Sequence, residues 1–197
     1  MKHLLDLLNK EELNYLEYKQ YSKNEIIFSE GLLCNYVGII LYGDIIISTI
    51  TNNYKEEIIN ILHEGEIFAN NLIFSNSPYF LGNIIANSNV KIAFISKKNL
   101  FLIFKNNQNF LTKYLELMSN QVLEEKNKNK ILSHKNIRDR LLYYFSLEQK
   151  KNGQVRIKSI ADLARKLSLP RPSVSREIYK LINDNIIEYN NKIIIIK

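Results

Sequence analysis

Apolar positions follow two different rhythms along this chain. From residue 25 to 96, short runs rich in Ile, Val, Phe and Tyr are separated by turns, and five of the six glycines (Gly31, Gly38, Gly43, Gly65, Gly82) fall among them. This punctuation predicts strands at 25–28, 36–41, 45–50, 57–62, 82–86 and 90–96, a spacing of about ten residues that suits a compact β-roll or barrel. Ahead of them, Leu4, Leu5, Leu8, Leu13 and Leu16 predict a short helical preface. After Ser96 the rhythm changes: glycine and proline are absent until Gly153, and apolar positions recur every three or four residues, which predicts helix. Leu111, Leu115, Met118 and Val122 follow the 4-3-4 spacing of a heptad seam that resumes at Leu132. One helix over about 110–134 follows, serving either as a core-facing stripe or as a dimerisation spine. Ile137, Leu141, Leu142 and Phe145 carry a second helix, started by Asn136 and ended before the turn at Asn152-Gly153.

The segment 159–183 is the most informative. Ser159-Ile160-Ala161-Asp162 has the Ser-x-x-acid form of a helix start, and Leu163, Ala164 and Leu167 give the apolar stripe of a two-turn helix. Ser168-Leu169 breaks it. Pro170-Arg171-Pro172 opens a further helix, since proline in a first turn loses no intrahelical bond, and Val174, Ile178 and Leu181 supply its buried face. Small Ala164 allows the close crossing of a helix-turn-helix. Arg171, Ser173, Ser175, Arg176, Tyr179 and Lys180 are left for the other faces. Arginine near the N-terminus of such a helix can donate two hydrogen bonds to guanine, and serine hydroxyls can hold phosphate oxygens. Residues 186–189 and 192–196 predict a hairpin turning at Asn190-Asn191, which makes the unit a winged helix with Lys192 near its tip.

Charge strengthens this picture. Residues 1–125 hold 10 Lys/Arg against 14 Asp/Glu, whereas residues 126–197 hold 17 against 6, and all six arginines lie beyond position 137. A basic module attached to an acidic one points to polyanion binding by the C-terminal third. With 197 residues, 46% of them apolar, the chain has enough core for one ordinary domain and a smaller second one. No run approaches the ~18 apolar residues of a membrane span and the start lacks a secretion signal, so a cytoplasmic location is expected. The single Cys34 cannot pair within the chain, and His3, His63 and His134 have no metal spacing. No glycine-rich phosphate loop, Cys–His or Ser–His–Asp pattern points to an enzyme.

In this order, β-roll, long helix and winged helix resemble the Crp/Fnr family of bacterial transcription regulators over essentially the whole chain. Ile26-Ile27-Phe28-Ser29-Glu30-Gly31, Ile39-Ile40-Leu41-Tyr42-Gly43-Asp44 and Gly65-Glu66-Ile67-Phe68 resemble the family's glycine-marked strands. Residues 169–177, Leu-Pro-Arg-Pro-Ser-Val-Ser-Arg-Glu, are similar to its recognition segment. The resemblance implies an α+β fold with a cyclic-nucleotide-binding-like effector domain at 1–109, a dimerisation helix at 110–134 and a DNA-binding domain at 135–197. It also implies a homodimer on a palindromic operator, contact with RNA polymerase, and DNA contacts from Arg171, Ser173, Ser175, Arg176, Lys180 and Lys192. Where the family's segment usually carries a base-reading Glu, this chain has Pro172, which cannot accept a bond from a cytosine amino group.

Cyclic-nucleotide-binding members use a Gly-Glu pair and a phosphate-neutralising Arg-Ser pair. Here those stretches read Ala69-Asn70-Asn71-Leu72 and Phe80-Leu81, so cyclic AMP and cyclic GMP are not expected to bind: a buried phosphate without a cation costs several kcal/mol. The lone Cys34 cannot ligate an iron–sulfur cluster, and only His63 and Cys34 are formal axial ligands for haem. No cofactor is expected, with a haem-based gas sensor of the same family as an alternative. A less polar effector in a pocket of Phe68, Asn70, Leu72, Phe74, Tyr79 and Phe80 is one reading, and plain core is the other. A regulatory module working through protein contacts is a further alternative, but it would not need the eleven excess positive charges of the C-terminal third.

Overall fold

A computed structural model of the chain describes residues 4–51, 55–150 and 152–197; His3 lies outside them. The chain forms two compact units, Met1–Ser119 and Asn120–Lys197.

The first unit opens with a 3-10 turn at Leu4–Leu7 and the single-turn helix α1, Lys10–Leu13. Asn9 caps α1: its side chain accepts from the Glu11 and Glu12 amides, and the Glu12 carboxylate accepts from the Asn9 amide. The helical preface stops there. Leu16 belongs instead to β1, Leu16–Tyr21, an edge strand that the sequence pattern did not predict. Its Glu17, Lys19 and Gln20 are poor strand formers, and pairing with the apolar β8 overrides that preference.

There follow β2 (Ile26–Phe28), β3 (Tyr36–Tyr42), β4 (Ile45–Ile50), β5 (Glu56–Leu62), β6 (Ile67–Phe68), β7 (Asn83–Ala86) and β8 (Val90–Ser96). They build two antiparallel four-stranded sheets in the orders β1-β8-β3-β6 and β2-β7-β4-β5. This is the expected β-roll. Val37, Ile40, Ile45, Ala86, Ile92 and Phe94 form its core. Gly38 is required by packing: the Phe68 ring lies over it, so close that an added Cβ would fall 2.1 Å from the ring.

Ser96 caps α2, Lys97–Asn106, and Asn107 separates it from α3, Gln108–Ser133. Asn107 starts the new helix by accepting from the Phe110 amide, while its own amide group donates to Leu7 O and Glu12 Oε2. The 26 residues of α3 span about 39 Å. Phe110 and Tyr114, one turn apart, are its buried face in the first unit.

In the second unit, α4 (Ile137–Glu148) starts at Asn136 as expected, with the Asn136 side chain accepting from the Asp139 amide. Then come β9 (Gln154–Arg156), α5 (Ile160–Lys166), α6 (Arg171–Asn183), β10 (Ile187–Asn190) and β11 (Ile193–Ile196). The three strands form an antiparallel sheet in the order β10-β11-β9. Leu141, Phe145, Leu163, Leu167, Val174, Ile178, Leu181 and Ile194 make a separate core. The whole is an α+β architecture of β-roll, long helix and winged helix.

Candidate nucleic-acid interface and sensor region

The two helices of the helix-turn-helix are joined by a Schellman turn built without glycine. Ser168 takes a left-handed φ of 52°, its amide bonds Arg165 O at 3.1 Å, and the Leu169 amide bonds Ala164 O at 2.9 Å. Ser159 caps α5 by accepting from the Asp162 amide at 3.0 Å. Pro170 is the N-cap of α6, with Pro172 in its first turn. Val174, Ile178 and Leu181 are buried, so the opposite side of α6 carries Arg171, Pro172, Ser175, Arg176, Tyr179 and Lys180 exposed to solvent, with Ser173 half-buried.

The six arginines fall into three groups. Arg140 is structural: its guanidinium donates to Leu132 O, His134 O and Leu167 O, satisfying carbonyls at the ends of α3 and α5. Arg138 pairs with Asp184 at 2.7 Å and faces Glu177 at 3.8 Å, and Arg165 pairs with Asp162 at 2.7 Å. That bond from Arg165 is the main reason the Asp162 carboxyl is held below its usual range. Arg156, Arg171 and Arg176 have no carboxylate partner among the described residues; Arg176 only bonds back to Pro172 O at 3.3 Å. These three remain free to meet an anion.

The wing corrects one expectation. Its turn is Asn191-Lys192 rather than Asn190-Asn191, because β10 runs on through Asn190, which pairs with Ile193. Asn191 and Lys192 both have positive φ (46° and 66°), the two-residue turn that matches strand twist. Lys192 thus sits in the tip itself. Beside it, Arg156, Ile157, Lys158 and Lys192 line an open groove. Neither Arg156 nor Lys158 was singled out from sequence, since β9 was not predicted.

The six residues expected around an effector divide among different surroundings. Phe80 and Phe68 are core residues, 3% and 2% exposed. The Phe80 ring stacks on Phe28 at 4.6 Å, Phe28 meets Phe94 edge-on at 5.7 Å, and Phe94 meets Phe68 at 6.2 Å. Phe74 packs instead against Phe101 and Phe104, and Tyr79 is exposed where it bridges to Leu33. Leu72 is half-buried. Asn70 is buried against α3: its backbone carbonyl accepts from Tyr114 Oη at 3.2 Å, and its side chain donates to Met118 Sδ at 3.0 Å. Burial raises the Tyr114 phenol well above its ordinary pKa, so it stays a donor.

Cys34 is buried with its thiol toward Tyr36 O and Ala69 O, whereas His63 is exposed and bonded to Asp44 at 2.8 Å. Among the described residues, no three His, Cys, Asp or Glu side chains are placed to hold a metal ion. No helix among them is long and apolar enough to cross a membrane. On α3, Leu115 and Val122 stand 54% and 53% exposed, while Leu111 and Met118 are half-buried.

Comparison with known proteins agrees with this geometry. Residues 18–107 match the family model of the cyclic nucleotide-binding domain. No curated protein matches the sequence significantly. Among solved structures, the catabolite activator protein of Thermus thermophilus is 17% identical, with a TM-score of 0.58 over 100% of this chain and 94% of that one. The transcriptional regulator TM1171 of Thermotoga maritima is 27% identical over 59% of this chain and 92% of its own, with a TM-score of 0.54. The c-di-GMP-responsive global regulator CLP of Xanthomonas campestris is 19% identical over 98% and 97%, with a TM-score of 0.55. Residues 18–107 are thus similar to the cyclic nucleotide-binding domain family. The chain as a whole has the fold of the Crp/Fnr transcription regulators.

Proposed function

We propose that the chain is a sequence-specific DNA-binding transcription regulator that works as a homodimer and answers to an effector other than cyclic AMP. The observation that carries the reading is the solvent face of α6, where Arg171 and Arg176 lie free of carboxylates on a basic winged helix. Arg171, Ser173, Ser175, Arg176 and Lys180 are the proposed base and phosphate contacts on that helix, with Lys192 on the backbone from the wing. Pro172 leaves one base pair without the acceptor that the family resemblance implies. Self-association is supported by the heptad seam of α3, whose Leu115 and Val122 are each more than half exposed among the described residues. A two-fold dimer would set the recognition helices on half-sites roughly 34 Å apart, so the operator is an imperfect palindrome.

Against cyclic nucleotides stands Phe80, whose buried ring stacks on Phe28 at the position where the family resemblance implies a phosphate-neutralising Arg. Binding of the unliganded protein to a pool of palindromic duplexes, followed by fluorescence anisotropy at two salt concentrations, tests the reading. Selective binding that loses about 1–3 kcal/mol and its preference at one base pair in Arg171→Ala supports it, with Lys192→Ala weakening all sequences alike. If both variants bind as the parent does, this docking mode is wrong.

A further inference from the structure

We propose that a groove across the ends of β1, β8 and β3 is a binding site for a small aromatic carboxylate. It stands apart from the DNA-binding reading, since every residue in it belongs to the N-terminal unit. The register of the sheet builds it. Gln20 on β1 and Tyr42 on β3 both pair with Lys91 on β8, so the three side chains form one row on one face. At the other end of that face Leu16, Val37, Ala93 and Ile95 are buried, whereas Gln20, Tyr42 and Lys91 are exposed. Tyr42 owes its place to a β-bulge. In an unbroken ladder Leu41 would oppose Lys91 and Tyr42 would turn to the other face; the irregularity between Ile40 and Tyr42 sets the phenol, 62% exposed, beside the lysine instead. Tyr21, Ser22 and Asn89 continue the lining at the strand ends, and the groove encloses about 390 Å³, the size of small-ligand sites.

The wall offers one cation, two phenols and side-chain amides, with no carboxylate among the described residues that line it. Lys91 takes part in none of the ion pairs among the described residues; its Nζ rests 5.9 Å from the centre of the Tyr18 ring, on the same face. At the Tyr21 end the charge is reversed. Glu25 accepts from the Ser22 amide at 2.9 Å, and its charge adds to burial in holding the Tyr21 phenol protonated above its ordinary range. The groove is therefore polarised, and a ligand lies in it one way: negative charge on Lys91, apolar ring toward Tyr21. Aromatic walls at Tyr21 and Tyr42 favour a flat ring over an aliphatic chain. A single ammonium with hydroxyl and amide neighbours matches the one charge of a carboxylate better than the two of a phosphate monoester.

The test is titration of the full chain with benzoate, followed by amide NMR shifts and calorimetry, beside benzyl alcohol, which keeps the ring, and acetate, which keeps the charge. Benzoate should bind saturably in the millimolar range of so small a ligand, with shifts gathered at the ends of β1, β3 and β8. The other two should bind about tenfold more weakly or worse, because each lacks one half of the recognition. K91Q should weaken benzoate by about tenfold while K91R keeps most of the affinity, and Y42L should weaken it by about fivefold while Y42F does not. K98Q, which removes an exposed lysine of α2 outside the groove, should bind as the parent does. All of these positions are exposed, so an unchanged melting temperature is expected throughout and separates lost binding from lost fold. Equal affinity for benzoate and benzyl alcohol overturns the proposal, as does K91Q binding like the parent. Shifts centred on Phe68 and Phe80 in place of the strand ends, or no binding of benzoate, overturn it as well. None of these outcomes touches the role of α6, which stands or falls on DNA binding.

Discussion

Replacing Phe80 with alanine tests whether the sensor region is packed solid. The ring is almost fully buried, stacks on Phe28 with an interplanar angle of 14°, and belongs to the chain of aromatic contacts through Phe94 to Phe68. Truncating a buried Phe to Ala costs roughly 3–5 kcal/mol, the larger values where the surroundings cannot close the void. Here the backbone is pinned on both sides: Phe80 N–H donates to Leu32 O and Phe80 O accepts from Gly31 N–H. Loss of the stacked pair adds about 0.5–1.5 kcal/mol, so a cost at the upper end of the Phe-to-Ala range is expected. Urea unfolding of the full chain, read by hydrogen exchange at β8 amides, isolates the N-terminal unit from the second one. Phe74→Ala, at a ring 39% exposed, serves as the comparison and should cost much less. A Phe80→Ala loss below about 1 kcal/mol would refute the reasoning, because it would mean that the ring borders open space and the region is a vacant cavity.

Gly38→Ala should destabilise the β-roll by more than about 1 kcal/mol because the new methyl meets the Phe68 ring, and adding Phe68→Leu should recover part of that loss in a double-mutant cycle. Ser168→Gly should raise thermal stability by roughly 0.5–1 kcal/mol, since glycine holds the left-handed turn without a Cβ; a lowered melting temperature would contradict the turn geometry. Burial raises the Cys34 thiol above its ordinary pKa, so the folded chain keeps a proton that the unfolded chain releases above about pH 8.5. Stability from this group is therefore complete below that pH and declines above it. Thiol labelling should follow the unfolding rate, and rapid labelling of the native chain would show the site to be open.

The parts of the fold that show in the sequence are those where one physical signal dominates. Short apolar runs separated by turns mark β3, β4, β7 and β8 within a residue or so. A serine cap followed by a proline-started helix marks α5 and α6, and with them Arg171 and Arg176. Elements that depend on partners do not show. β1 carries Glu17, Lys19 and Gln20 and is a strand because β8 pairs with it, while β6 and β9 are too short for any period to register. The break at Asn107 is hidden because a side-chain cap, not glycine or proline, makes it. The sensor residues illustrate a further limit: aromatic side chains at Phe68, Phe74, Tyr79 and Phe80 look alike in sequence, yet two point into the core and two do not. Arg156 comes beside the wing only through the pairing of β9 with β11, which the sequence pattern does not show.

Arg140 carries a consequence for how this chain tolerates change. Of its 27 basic residues only six are arginine, so lysine serves wherever a cation alone is needed. Arg140 reaches three separate carbonyls through a flat, forked group that an ammonium cannot imitate. The swap to lysine, neutral at most basic surface positions, should be among the most damaging charge-conserving changes in the second unit, and part of that unit's cationic excess is internal scaffolding unavailable to any outside anion.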